Sequence, residues 1–184
     1  MNMRNRLAMT PEIAYVFSHR PARGVDIAAY EDSLRRFHAA LASAALSGFI
    51  TSSTFRTAGA YSDWYLLESS AAMDVLNEAA VSGDRAASHD AAAGMAADGV
   101  GKLFKLAAGE HSSTTGFEVR FSKPAGMKYA EFYSLMEPFT SGPGVGLWRR
   151  MMVLGPPPEF CLIASSEVAL PNEMRPETFR REPI

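Results

Sequence analysis

His89-Asp90, set in an alanine-rich stretch, is the pair in this chain best suited to moving a proton. Histidine changes charge near neutral pH, so it can act as a general base or as a ligand to a metal or haem. Adjacent helical residues point about 100° apart, so the two are not expected to form a direct dyad. His89 then needs a partner from elsewhere; the plainer reading is a solvated or capping histidine. Glu68 follows Trp64-Tyr65-Leu66-Leu67. On the strand face of Trp64 and Leu66 its carboxyl would hold its proton more tightly, whereas past the strand end it would sit in water. His89 and Glu68 are the candidate catalytic residues.

Leu147-Trp148-Arg149-Arg150-Met151-Met152 is the second unusual stretch. As a strand it places Trp148, Arg150 and Met152 on one face and Leu147, Arg149 and Met151 on the other. An arginine aimed at a covered surface needs an anion, either Glu68 or Glu159 or the carboxylate or phosphate of a ligand. His19 closes an early β-rich run beside Arg20, where strand ends commonly border pockets. Trp64, Tyr65, Trp148, Arg149, Arg150 and His19 are therefore the candidate ligand-binding residues. His38, next to an apolar stripe, reads as surface, and His111, in the polar loop 110–115, reads as solvated.

The four histidines show no His-x-x-x-His spacing, and one cysteine excludes a thiolate zinc cage, so no metal site is expected. Cys161 sits in an apolar run and reads as a small core residue. No cofactor is required by these residues, although a haem with one axial histidine needs only His89 or His111. Gly142-Pro143-Gly144-Val145-Gly146 leads into a strand rather than a helix, so it lacks the geometry of a phosphate loop. Met127, Tyr129, Phe132, Tyr133 and Met136 read as the core face of a helix.

Composition narrows the classes. Hydrophobic residues make up 47% of the 184-residue chain and charged residues 21%, as in ordinary globular proteins. A formal net charge of −2 gives no reason to expect nucleic acid or an anionic membrane as partner. No apolar run approaches the roughly 20 residues needed to span a bilayer. Arg4 and Arg6 precede a segment too short and broken for a signal-peptide core. A lone cysteine suits a reducing compartment, so the expected location is the cytoplasm.

Elements must position these side chains. Ile13 to Phe17 alternates as a strand, and Pro21, Gly24 and Asp26 lead into a helix with Ile27, Tyr30, Leu34, Phe37 and Leu41 on one stripe. Residues 49–57 and 64–67 read as a hairpin turned by Gly59 with Ser62-Asp63. Ser69 or Ser70 can cap a second helix, which Gly83-Asp84 interrupts. Helix is then expected to resume from Arg85 to Asp98 until Gly99 and Gly101 break it, with a strand at residues 102–106. Downstream, a strand at 116–121, a helix at 127–139 stopped by Pro138, and strands at 147–154 and 160–164 follow. Pro171 and Pro176 argue against a second helix in the tail, which drapes over the body or completes an edge.

The chain also echoes itself. Val16-Phe17-Ser18-His19-Arg20-Pro21 resembles Arg120-Phe121-Ser122-Lys123-Pro124, and Gly24, Tyr30, Leu34 and Phe37 find counterparts in Gly126, Phe132, Met136 and Phe139. Trp64 to Ser70 likewise parallels Phe160 to Ser166. The order β-α-β-β-α-β is the ferredoxin-like arrangement. The expected fold is α+β, with residues 1–110 as one repeat and 111–184 as a second, truncated one. Their antiparallel sheets would form one barrel-like unit.

This element order and internal repeat resemble the dimeric α+β barrel superfamily. That resemblance implies a small-molecule cavity between sheets, and it leaves the reaction open. Three functions follow: a binder of a small apolar or aromatic molecule, a cofactor-independent monooxygenase- or isomerase-like enzyme, or a haem protein. A homodimer is the partner that the resemblance leaves open.

Overall fold

A computed structural model describes residues 11–111, 116–152 and 157–184. Arg4 and Arg6, residues 112–115 of the polar loop and residues 153–156 lie outside the described residues. In chain order the elements are β1 (Ile13–Pro21), α1 (Ile27–Ser43), β2 (Phe49–Thr57), β3 (Ala60–Leu67), α2 (Ala72–Ala80) and α3 (Asp84–Ala93). There follow β4 (Ala96–Gly109), β5 (Gly116–Phe121), α4 (Tyr129–Thr140), β6 (Gly146–Arg150), β7 (Phe160–Ala164) and β8 (Glu177–Pro183). The fold is α+β. The strands hydrogen-bond in the order β1-β3-β2-β8-β5-β7-β6-β4 and close into an antiparallel barrel. Among the described residues no helix is long and apolar enough to cross a membrane.

The chain divides into two compact units, one reaching to Leu103 together with Pro183–Ile184, the other Phe104–Glu182. In the first, β3 lies between β1 and β2. Its register sets Phe17 and Thr54 on either side of Asp63, and Tyr15 and Ser52 on either side of Tyr65. Directly opposed residues share a sheet face, so Tyr15, Phe17, His19, Ser52, Thr54, Tyr61, Asp63 and Tyr65 all project the same way. Asp26 caps α1 by accepting from the Ala29 amide at 2.8 Å. The buried stripe of α1 carries Tyr30, Leu34, Phe37, His38 and Leu41.

Three expectations fail here for instructive reasons. Helix does not extend to Asp98: α3 ends at Ala93 and β4 begins at Ala96. Gly99 and Gly101 are strand residues whose missing side chains make room for aromatic rings. A Cβ on Gly99 would stand 2.5 Å from Cζ of Phe17, and one on Gly101 would strike the Tyr15 ring. The hairpin turn is Ala58-Gly59 alone, so Ser62-Asp63 lies inside β3. Nor do Ser69 and Ser70 cap α2, whose first turn begins after Ala71 with no side-chain cap.

In the second unit β5 pairs with β7 and β8, and β7 pairs with β6. The tail is a full strand partner: Gly116 faces Arg181 and Arg120 faces Glu177. Pro171 and Pro176 remove a helix, leaving one turn of 3₁₀ helix at Asn172–Met174, but they leave a strand. Pro138 sits inside α4, which continues to Thr140. β6 ends at Arg150, short of the expected strand. The core joins Val119, Phe121, Phe132, Met136, Leu147, Phe160 and Leu162.

His111 belongs to this unit, and it is not solvated. Its ring meets Trp148 edge-on at 5.9 Å. Burial, and then the charge of Arg181, pulls its pKa down to about 4. Because the folded state resists a proton that the unfolded chain accepts, stability should be whole above pH 6.5 and fall as pH drops toward 4. The expected slope reaches at most about 1.4 kcal/mol per pH unit. Urea denaturation at pH 7 and pH 5 checks this, and His111→Gln should flatten the difference.

Candidate functional site

The shared sheet face, α1, α2 and α3 of the first unit enclose a cavity of about 280 Å³. Tyr15, Phe17, Leu34, Phe37, Tyr65, Met73 and Leu76 give it apolar and aromatic walls. His19, Tyr30 and Asp63 form its polar floor, and His89 stands on its helical side.

Asp63 is the centre of the floor, 3% exposed in the middle of a sheet. A carboxylate buried this deeply is costly unless it is paired and hydrogen-bonded. Its Oδ1 accepts from the Thr54 hydroxyl at 2.6 Å and lies 3.4 Å from His38 Nε2. Its Oδ2 lies 3.1 Å from His19 Nε2 and 3.4 Å from the Tyr65 hydroxyl. Burial by itself would raise its pKa. The two imidazoles set against it, His19 and His38, outweigh burial and hold the carboxyl below the usual carboxylate range.

Each imidazole has a second partner. His19 Nδ1 meets the Tyr30 hydroxyl, and His38 Nδ1 lies 2.7 Å from the Ser52 hydroxyl. A chain of polar groups thus runs Tyr30–His19–Asp63–His38–Ser52. Stacking fixes the rings: His19 lies parallel to Tyr61 at 5.8 Å, and His38 on Tyr65 at 5.2 Å. Burial first, then Asp63 and Tyr61, push the Tyr30 phenol well above its ordinary value. Tyr15 and Tyr65 shift the same way, again with burial as the leading cause and Asp63 the second. These phenols therefore stay protonated at neutral pH.

Of the residues singled out from sequence, His19, Tyr65 and His89 reach this cavity. His89 packs edge-on against Phe37 at 5.5 Å, and its Nδ1 does lie 3.1 Å from Asp90 Oδ1. The 100° divergence at Cβ is overcome because Asp90 is largely exposed and free to swing back, so the contact is a surface one. Glu68 lies beyond the end of β3 and outside the cavity, with its amide bonded to the Gly48 carbonyl. Trp64 is buried on the opposite sheet face, where Nε1 donates to the Ser62 hydroxyl at 3.0 Å.

The second unit holds the others. Trp148 is fully buried. Arg149 Nε donates to Glu159 Oε1 at 3.1 Å while its guanidinium lies 3.9 Å from the Tyr129 ring centre. The Tyr129 hydroxyl donates to that same oxygen at 2.7 Å. Arg150 is buried, and its backbone amide bonds the Glu159 carbonyl. Met152 lies past the end of β6 and is 88% exposed, so it shares no strand face with Trp148.

Sequence reasoning missed Asp63, Tyr30 and His38. His38 follows Tyr30, Leu34 and Phe37 at helical spacing and lies on the buried stripe itself rather than beside it. Asp63 interrupts Tyr61-Ser62-Asp63-Trp64-Tyr65, a run whose β-formers argue for strand. An aspartate inside such a run is a signal in itself. Among the described residues no group of three or more histidine, cysteine or acidic side chains is arranged to hold a metal ion.

No family model matches this sequence, and no curated protein matches it. Among solved structures the chain is similar to the crystal structure of a putative chlorite dismutase. The TM-score is 0.49 and the identity 13%, over 94% of this chain and 80% of that one. A likeness this distant transfers no chemistry.

Proposed function

We propose that this protein binds a small, largely apolar aromatic molecule bearing one polar group, in the cavity of the first unit. One observation carries the reading: an aromatic-walled cavity of about 280 Å³ whose floor is a buried, multiply bonded carboxylate network. Ligand sites typically combine apolar walls with a few fixed polar groups, at volumes from about 300 Å³ upward. The size suits one or two fused rings. The duplicated sequence supports two ferredoxin-like repeats as the frame, with the cavity confined to the first and Glu68, Trp148, Arg149 and Arg150 serving the scaffold.

A haem fits poorly. His89 could supply an axial nitrogen, but the cavity is small for a macrocycle and its lining holds no lysine or arginine to meet propionates.

Filling the space tests the binding reading. Ala80 lines the cavity from α2. Ala80→Trp should weaken 1-naphthol binding at least tenfold, measured by NMR titration, while leaving the far-ultraviolet circular dichroism unchanged. Naphthol binding indifferent to this change, and to Ala93→Trp on the opposite helix, would exclude the cavity as the site.

A further inference from the structure

Asp63 can only accept, so in a neutral His19 ring the proton belongs on the nitrogen that faces the carboxylate at 3.1 Å, Nε2. Nδ1 then presents a lone pair to the Tyr30 hydroxyl. This is the logic of a nucleophile–base–carboxylate triad, with a phenol in the first place. The carboxylate is fixed by Thr54 and His38, neither of which competes for the His19 base nitrogen. Tyr30 is fully buried from solvent yet is among the residues lining the cavity, and its hydroxyl oxygen, bonded to His19, keeps a lone pair with which to accept from a ligand.

We propose that Tyr30, His19 and Asp63 form a proton-accepting triad that ionises an acidic hydroxyl, phenolic or enolic, on the aromatic ligand in this cavity. The proposal rests on the binding reading above and names its substrate class. One proton changes place at each link. The ligand O–H bond breaks and a new Tyr30 Oη–H bond forms, while the proton that Tyr30 carried crosses to His19 Nδ1. The products are a ligand oxyanion, a neutral Tyr30 and an imidazolium beside the Asp63 carboxylate. Net charge in the cavity is unchanged, so the transfer costs far less than burying a free oxyanion. A raised phenol pKa suits Tyr30 to this part, since it passes a proton without holding negative charge itself.

The titratable groups around the triad are few. Tyr15 comes from β1, His38 from α1, Tyr61 and Tyr65 from β3, and His89 faces the cavity from α3. Glu31 reaches this region through the Tyr61 hydroxyl at 2.8 Å and is itself paired with Arg56. None of these supplies a fixed positive charge inside the cavity. A ligand oxyanion therefore depends on His19 taking up the proton.

The probe is 4-nitrophenol, whose anion absorbs visible light and whose neutral form does not. Titrated from pH 5 to 9 with the full chain in excess, the bound probe should ionise with a constant at least tenfold larger than that of the free probe. His19→Gln and Tyr30→Phe should each return the constant to its free value while still binding the probe, as followed by NMR. Asp63→Asn, which removes the imidazolium's counter-charge, should do the same. A bound probe whose ionisation is unchanged or suppressed overturns the triad and leaves the binding reading standing. So does a shift that survives His19→Gln or Tyr30→Phe. Failure of both 4-nitrophenol and 1-naphthol to bind at all overturns the two together.

Discussion

Asp63→Ala should destabilise the protein by about 3–5 kcal/mol, the range found when one member of a buried charged network is removed. The deleted carboxylate leaves Thr54, Tyr65, His19 and His38 facing a void, and each lost partner at a buried polar atom costs about 1–3 kcal/mol. Urea denaturation at pH 7 measures the change. A loss below about 1 kcal/mol would mean that water or rearranged side chains satisfy those groups. The pH dependence has a definite sign. With its folded pKa held low, Asp63 contributes fully above the unfolded carboxylate value of about 3.9, and the contribution fades as pH falls below it. Asp63→Asn should therefore flatten the acid limb of the stability curve while costing less than alanine at neutral pH.

Phe132→Ala should cost a comparable amount, about 3–5 kcal/mol, by a different mechanism. Its ring is fully buried in α4, 4.4 Å from the Phe160 centroid and 6.3 Å from that of Phe121. Removing it deletes the centre of that aromatic cluster and leaves a cavity that neighbouring strands cannot collapse to fill. Leu135→Ala, three residues along the same helix but 38% exposed, should move stability by no more than about 0.5 kcal/mol. Urea midpoints of the two variants give the contrast directly. Similar losses at both positions would contradict the burial pattern of α4.

The scaffold was legible because its signals are periodic. The stripe Tyr30–Leu34–Phe37–Leu41, the Asp26 cap and the Gly83 interruption each depend on neighbours close in sequence. The site was legible only in fragments, because its logic lies across the sheet. Nothing local to Asp63 says that β1 will bring His19 beside it, or that α1 will deliver His38 to its other oxygen. The register of three strands decides that. Gly99 and Gly101 misled for the converse reason. In sequence they read as breakers, whereas in the fold they accommodate rings from elsewhere. Glu68 drew attention by following apolar residues, and one residue of strand length turned it from a wall group into a loop group.

Those two glycines also act at a distance. Phe17 and Tyr15 border the cavity on one side and lie over bare backbone on the other. Their positions are set as much by the side chains that β4 omits as by anything in the pocket. An alanine at Gly99 or Gly101 would press a ring forward and narrow the space available to an occupant. The width of the cavity is thus governed from a strand that supplies no side chain at those points, so the size of molecule admitted under the proposed binding would change with substitutions that leave every polar group of the floor untouched.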